Sequence, residues 1–581
     1  MADMFSLERG IAAQAGVPEL VPAGAGMPDA AGSLTVLSYN VLLPNSSDGW
    51  WIYKYYSPSD GEDVTGWPHR QALLRRQLLG ARADVVCVQE VSAESFEGDF
   101  SFMREAGYEH ALLAKGRMRN ATFWRAARLS LRASFSKDRT LTCHLVLRGG
   151  RGEEGGCEGE GEGEGEGEGE GEGEGEGEGE GEGEGGQEGA SDGGREIFVV
   201  NCHLSAGPQA PRRMKQVHEA ADAIRKLLNK NAKEAAKAAG GAGGGKAKGG
   251  KGGAAVAAAT PDVAAVPVVV CGDFNSQGAT GVRELLTRGA VEPTFRESGD
   301  ETEREQQVGG GACGGVSGTP LTSKRKTIEL GRFADAYAVA YCGGGDDGGA
   351  AGGGGGAGAP TAAQGPPPTL VGQNLMPVML EGDSGSASAA MREAVAKVFS
   401  AFSSSSSSSS SSGGGGGGGG EAGLMTRPDV DRWLLAINFK LSRGSEMRAA
   451  EKLLLAHAEA GEPECLTAAD LLSIYQEELD QGKYWGVEHD LARLNGAGLA
   501  RPGDAPWEAR FDYVYYTAGT LRCEAVMESL AEDDRARLYG AERAILPNSW
   551  HPSDHLPLAA RFTLLPVPGA AVPPSPPAAA E

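Results

Sequence analysis

The chain has 581 residues, 91 of them glycine, and a formal net charge of -25. A Glu-Gly alternation over 158–184, a serine run and Ala/Gly/Lys-rich stretches cannot bury a core, which leaves room for one large α/β domain and a small helical piece. The acidic balance excludes a nucleic-acid binder held by a basic surface, and no apolar run approaches the roughly 18–20 residues of a membrane span. Nine cysteines without a Cys-x-x-Cys pair read as packed thiols, with Cys87, Cys202 and Cys271 inside apolar runs. They favour a reducing compartment. Residues 1–28 carry both signs of charge and no hydrophobic segment, so no secretory signal is read and a cytoplasmic location is expected.

Residues 1–30 form a Pro/Ala/Gly leader, expected to be disordered. A strand over 34–39 ends at Asn40, and a loop rich in Trp and Tyr (Trp50, Trp51, Tyr53, Tyr55, Tyr56) follows. Pro68 suits the first turn of an amphipathic helix carrying Leu73, Leu74, Leu78 and Leu79. The run 84–89 is a second buried strand with Glu90 at its end, and a helix is expected over 95–106. Strands over 141–147 and 197–202 flank the Glu-Gly tract, the second ending at His203. A helix over 211–230 and an Ala/Gly/Lys insertion lead to Val268-Val269-Val270-Cys271-Gly272-Asp273-Phe274-Asn275, an apolar run closed by an acid and an amide. Phe333 to Tyr337 reads as the start of a helix, and 343–389 as a linker. Helices are expected over 390–402, 428–438, 445–460 and 467–480, interrupted by a Ser/Gly linker at 403–420. A strand over 511–516 and a last strand after Pro552-Ser553-Asp554-His555 complete the pattern, before a disordered tail at 566–581.

Acids, amides and histidines thus recur at the ends of apolar strands, where α/β architectures place ligands. An acid and an amide two residues apart share a strand face and can orient a water. Hydrolysis of a phosphodiester asks for a hard divalent cation, an aligned water and donors to the developing charge. Glu90 and Asn40 supply metal-ligating oxygen; Asp273 and Asn275 can align the water. His203 and His555 can donate to phosphate oxygens, and Asp512 or Asp554 can brace an imidazole.

Ser38-Tyr39-Asn40-Val41, Gln89-Glu90-Val91, Asn201-Cys202-His203-Leu204, Gly272-Asp273-Phe274-Asn275 and Ser553-Asp554-His555 together resemble the motif set of the endonuclease/exonuclease/phosphatase superfamily. Tyr55-Tyr56, Trp67 with Arg70, Phe511-Asp512-Tyr513 and Leu546-Pro547-Asn548 are similar to its carbon-catabolite-repressor/nocturnin/Angel branch. The resemblance implies a deoxyribonuclease-I-like α/β fold, a four-layer sandwich of two mixed β-sheets flanked by helices. It would occupy 31–342 plus 500–565, with low-complexity insertions at 149–195 and 232–262. The implied activity is that of a Mg2+- (or Mn2+-) dependent 3′-to-5′ exoribonuclease of poly(A)-deadenylase type acting on RNA 3′ ends. The alternatives are a phosphatase of a small nucleotide or inositol phosphate and a non-catalytic binding module. On this resemblance Glu90 is the metal ligand with Asn40 beside it, Asp273 and Asn275 serve the water, His555 contacts the phosphate, and His203 steadies the transition state. Asp512 or Asp554 would brace His555. Arg70, Lys115, Arg119 and Arg212 are candidate phosphate contacts, set against the plainer reading of solvated surface charge. The chain departs from the pattern at Asn120-Ala121-Thr122-Phe123, where deadenylases more often carry Asp-Gly.

The segment 390–499 resembles the EF-hand-like helical insertion of plant calcium-binding members and offers a surface for a protein partner. Aligned loops would put Asp429 and Asp470 at the twelfth positions, but the early positions lack the required acids, so calcium binding is not expected there.

Overall fold

The computed structural model describes residues 20–22, 33–44, 49–148, 195–207, 209–241, 263–297, 321–342, 365–403, 423–441, 444–501, 504–540 and 544–566. The Glu-Gly tract, 242–262 of the Ala/Gly/Lys insertion, and nearly all of the Ser/Gly linker, leader and tail lie outside them, while 232–241, expected as insertion, continue the helix Ala210–Gly241. The main strands in chain order are β1 (Leu20–Pro22), β2 (Ser33–Asn40), β3 (Val85–Ser92), β4 (Tyr108–Leu112), β5 (Met118–Arg125), β6 (Leu129–Lys137) and β7 (Thr140–Leu147). They continue with β8 (Glu196–His203), β9 (Val268–Asp273), β10 (Phe333–Asp335), β11 (Asp512–Thr517), β12 (Leu521–Met527) and β13 (Leu558–Leu564). One mixed sheet has the order β1-β12-β13-β2-β3-β5-β4 and the other β10-β11-β9-β8-β7-β6. Two parallel pairs, β2 with β3 and β8 with β9, sit in otherwise antiparallel sheets.

The near-continuous apolar character of these strands has a direct cause: both faces are covered. In β2, Leu34 and Val36 enter the core between the sheets, while Leu37 and Tyr39 face the outer helices. In β9, Val269 and Cys271 point inward and Val268 and Val270 outward. Helix α1 (Trp67–Gly80) covers the first sheet, with Pro68 in its first turn. Helices α2 (Ala210–Gly241) and α3 (Gly281–Arg288) cover the second. The four-layer α/β sandwich therefore stands. Cys87, Cys143, Cys202 and Cys271 are buried free thiols that pack as small apolar groups.

Several elements differ from expectation. Residues 95–106 form two short helices, Phe96–Asp99 and Ser101–Glu105, rather than one. Phe333–Asp335 is strand before the helix Ala336–Cys342 begins, because it pairs with β11. Leu20–Pro22, within the expected leader, pairs with Ala525–Met527. The second half of the expected linker is ordered scaffold: Leu370–Gly372 pairs with Trp507–Ala509, and Leu370 bridges to His555.

The helical module comprises α4 (Ala389–Phe402), α5 (Arg427–Asn438), α6 (Ser445–Glu459), α7 (Ala468–Asp480) and α8 (Tyr484–Asn495), the last not anticipated. It has its own core around Met391, Trp433, Leu466, Tyr475 and Leu491. Met425–Thr426 and Cys465–Leu466, preceding α5 and α7, pair antiparallel. Asp429 and Asp470 are spent on capping boxes: their oxygens accept from Thr426 N (2.9 Å) and Thr467 N (2.8 Å), and also from Arg432 and His457 respectively. No helix among the described residues is long and apolar enough to cross a membrane.

Candidate active site

Sheet register assembles the site. Asp273, the last residue of β9, lies opposite His203 of β8 and opposite Asp512 of β11. Asn40 pairs with Gln89 across β2 and β3 in the other sheet. The next residue, Glu90, sits where the β3–β5 register shifts, with φ of +64°. A non-glycine residue there costs about 1–3 kcal/mol, and such a bulge re-aims a side chain. Here it turns Glu90 toward the second sheet. Gly272, with φ of +133°, answers a different need: a Cβ there would fall 1.9 Å from the Cys202 carbonyl oxygen, so only glycine lets β8 and β9 close up beneath His203 and Asp273.

Beneath the cleft the sheets are stitched by amides. Gln89 Nε2 donates to Asn201 Oδ1 (2.8 Å), and Asn201 Nδ2 donates to the carbonyls of Val88 (3.1 Å) and Ala121 (2.9 Å). Asn120 Nδ2 donates to the carbonyls of Asn201 (2.9 Å) and Arg139 (3.1 Å). The residues that depart from the deadenylase pattern thus serve the scaffold.

Seven of the eight expected site residues converge directly. Asn40 Nδ2 donates to Glu90 Oε1 (3.2 Å) and Asp273 Oδ2 (3.1 Å), while its Oδ1 accepts from Leu42 N (3.1 Å), which fixes the amide orientation. His203 Nε2 stands 3.6 Å from Glu90 Oε1 and 3.8 Å from Asp273 Oδ2. His555 Nε2 stands 3.9 Å from Asp273 Oδ2, and its Nδ1 is 2.8 Å from Asp512 Oδ2. Between the two acids proposed as brace, the geometry selects Asp512. Asp554 instead adds negative charge that raises both Glu90 and His555. Asn275, also at positive φ (+48°), is turned onto Asp273: its N–H donates to Oδ1 (2.7 Å) and its Nδ2 to Oδ2 (3.1 Å) and to the Leu204 carbonyl (3.0 Å). It holds Asp273 rather than reaching past it. Ser553, fully buried, ties the loops together by donating to the Asn40 carbonyl (2.7 Å) and accepting from His555 N (3.2 Å).

Electrostatics divide the two histidines. Burial opposes a charge on His555, yet Asp512 and then Asp554 hold it well above the usual range, so it is an imidazolium. Burial, with Arg139 and His555 adding to it, pushes His203 down to about 3, so it is neutral. Burial pushes Asp273 up to about 7, His555 opposing and Asp512 adding to the rise. Glu90 and Asp554 are likewise raised, burial first. Glu90, Asp273 and Asp554 are raised by burial and by neighbouring acids, a crowding that a hard divalent ion would relieve. Among the described residues no group of three or more His, Cys, Asp or Glu side chains is arranged to hold a metal ion. Magnesium needs none, since it takes one or two carboxylates and keeps its waters. Glu90 and Asp273 offer carboxylate oxygens for it.

The expected phosphate contacts fare differently. Arg70 is fully buried and donates to the carbonyls of Pro552 (2.9 Å), Leu43 (3.0 Å) and Val41 (2.9 Å), as well as Leu42. It pins the loop after Asn40 to the loop before His555 and has no reach to substrate. Arg212 is exposed and paired with Asp138 (3.0 Å), Arg119 donates to the Gly116 carbonyl (3.0 Å), and Lys115 is exposed. Arg139 was missed, and Tyr55, read only as part of the branch motif, lies nearer the acids than that motif implied. Arg139, in the β6–β7 turn, raises no sequence signal, yet its charge bears on both Glu90 and His203 and its carbonyl accepts from His203 N (3.0 Å). Tyr55 carries a phenol that burial, then Asp554 and Glu90, push well above its usual range.

The two mixed sheets carry at their strand ends, in order, the five motifs that resemble those of the endonuclease/exonuclease/phosphatase superfamily. The chain is similar to carbon-catabolite-repressor proteins. It is 23% identical over 287 residues to the CCR4-Not complex 3'-5'-exoribonuclease subunit Ccr4 of Schizosaccharomyces pombe, covering 48% of this chain and 38% of that protein. It is 44% identical over 71 residues to carbon catabolite repressor protein 4 homolog 2 of Arabidopsis thaliana, 12% of this chain and 11% of that one. The matched segments thus span well under half the length of these curated relatives. Among solved structures, it aligns with ANGEL2, a 2',3'-cyclic phosphatase, in complex with adenosine-2',3'-vanadate (14% identity, TM-score 0.43, 94% of this chain and 99% of that one). It also aligns with the human Nocturnin catalytic domain (12% identity, TM-score 0.34, 94% and 97%). No protein-family model matches the chain.

Proposed function

We propose that this protein is a divalent-metal-dependent phosphodiesterase, a 3′-to-5′ exoribonuclease of deadenylase type, working in the cytoplasm on RNA 3′ ends. The observation that carries the reading is the cluster Asn40, Glu90, His203, Asp273 and His555, drawn from both sheets, with Asp512 on His555 Nδ1 at 2.8 Å. A bound Mg2+ or Mn2+ would be held by Glu90 with Asp273 close by, Asn40 bridging both, and would supply Lewis-acid polarisation of the phosphoryl group. Asp273, gripped by Asn275, orients the attacking water and can take its proton. His555, kept charged by Asp512, donates from Nε2 to a non-bridging phosphate oxygen. Neutral His203 adds a second donor, and Arg139 adds positive charge at the rim.

The test is a substrate panel in magnesium with and without chelator: oligo(A), mixed-sequence RNA, and NADPH as a small nucleotide phosphate. The reading expects 3′-to-5′ shortening of oligo(A), abolished by chelator. Release of phosphate from NADPH alone would move the assignment to a nucleotide phosphatase. Inactivity on all three, with a stable protein partner on the helical module, would make the chain a binding module.

A further inference from the structure

The helical module is not a remote appendage. Three ring systems meet where it touches the sandwich: Trp51 and Tyr55 from the loop after β2, and Trp485 from the first turn of α8. Tyr55 and Trp485 stack at 4.1 Å with 16° between their planes. Trp51 lies 5.5 Å from Trp485 and 5.9 Å from Tyr55. None of the three is fully buried. The residues between them are committed elsewhere and lock the contact. Lys54 is buried with its ammonium 3.0 Å from Glu446 and 3.1 Å from Asp490, and Tyr53 donates to the Ile437 carbonyl (2.7 Å). Trp51 and Tyr55 also pack on Leu42, Leu43 and Ile52, the apolar floor that continues directly from Asn40. The Tyr55 phenol is close enough to the acid cluster to feel Asp554 and Glu90.

We propose that the helical module completes the active site, with Trp485, Tyr55 and Trp51 forming an aromatic shelf at the cleft rim that stacks the base of the nucleotide whose phosphate lies among Glu90, Asp273 and His555. The identity of that substrate rests on the phosphodiesterase reading; the shelf itself rests on the rings. Half-open aromatic rings beside a phosphate-binding cleft are the construction that single-stranded nucleic-acid sites use, and stacking tolerates any base because every base has a π face. The shelf therefore selects for the presence of a base, purine above pyrimidine, rather than for hydrogen-bonding identity. No sandwich domain alone would carry it, since Trp485 comes from the module.

The experiment uses the full chain and two RNA oligonucleotides that differ only in whether the 3′-terminal residue carries adenine or is abasic. The wild-type protein is expected to prefer the intact end by at least about tenfold in kcat/KM, the scale of one stacking contact. In Trp485→Ala that preference falls by about tenfold, whereas Trp485→Phe keeps most of it. Trp485→Leu fills the volume without a π face and is read the same way should Trp485→Ala fail to fold. A preference in Trp485→Ala or Trp485→Leu within twofold of wild type would overturn the shelf, as would its equal loss in Trp485→Phe. A second readout is independent of turnover: quenching of tryptophan fluorescence by AMP but not by ribose 5-phosphate, reduced in Trp485→Phe. If the protein hydrolyses no phosphodiester, the functional reading falls while AMP-specific quenching still supports the shelf; absence of that quenching overturns it.

Discussion

Lys54 offers a sharp energetic test of how the module is held. Its ammonium is only 4% exposed and is shared by two carboxylates, Glu446 at 3.0 Å and Asp490 at 3.1 Å, themselves 9% and 1% exposed at the side chain. Replacing Lys54 with Met keeps the volume and leaves two buried acids without their cation. Breaking a buried pair by removing one partner costs about 3–5 kcal/mol, because the remaining charge is desolvated and uncompensated. The sign with pH follows from Glu446. Burial penalises its charged form, but Lys54, with a backbone hydrogen bond and Lys483, more than offsets this and holds it below the usual carboxylate value. In the wild type its contribution is therefore present above the unfolded pKa of about 4.3 and lost as pH falls through the lower folded value. In Lys54→Met burial acts unopposed by Lys54, the folded pKa rises, and stability is lost as pH rises through it. The deficit should be largest near pH 7.5 and shrink by at least about 1 kcal/mol at pH 5. Urea denaturation of both proteins at the two pH values measures it. A deficit below about 1 kcal/mol, or one that grows on acidification, would refute the buried-triad account.

Further outcomes follow from the site. Gly272→Ala places a methyl against the Cys202 backbone, so thermal and urea melts should show a loss of at least about 3 kcal/mol, together with loss of hydrolysis. Asp512→Asn removes the carboxylate that keeps His555 charged. The imidazolium pKa falls, and the pH–rate profile should lose its alkaline limb at lower pH, with kcat reduced by about 10²-fold or more. Arg70→Met should act on folding, by about 3 kcal/mol or more, since four carbonyl acceptors lose their donor. A change confined to KM with stability intact would restore Arg70 to the substrate.

Much of the sandwich was legible because helices cover both sheets, which makes β2, β3, β8 and β9 continuous apolar runs whose polar ends stand out: Asn40, Glu90, His203 and Asp273. What stayed hidden depends on pairing across distance. The strand β6 mixes exposed and half-buried residues without a clean period at a sheet edge, so neither it nor Arg139 in the turn beyond announces itself. The choice of Asp512 over Asp554 as the partner of His555 needs the β9–β11 register. Arg70 reads as a surface charge in any one-dimensional view, because only the folded loops reveal the carbonyls that surround it. Residues 365–389 follow a glycine-rich stretch and read as linker, yet Thr369 Oγ1 accepts from the amides of Phe511 and Asp512 and so sets the strand that carries the brace. Helix α8 was missed since it follows α7 with only three residues between and contains Gly486.

The most direct measurement is hydrolysis of 5′-labelled oligo(A) by the wild-type protein and Glu90→Gln across a magnesium titration, with thermal stability followed in parallel. Glu90→Gln keeps the shape of the side chain and removes the charge that answers the cation. The account predicts magnesium-dependent shortening and a magnesium-dependent rise in melting temperature for the wild type. In Glu90→Gln it predicts turnover lower by at least about 10³-fold and little thermal response to the ion. Turnover within about tenfold of wild type in Glu90→Gln, or full wild-type activity in chelator, would contradict it.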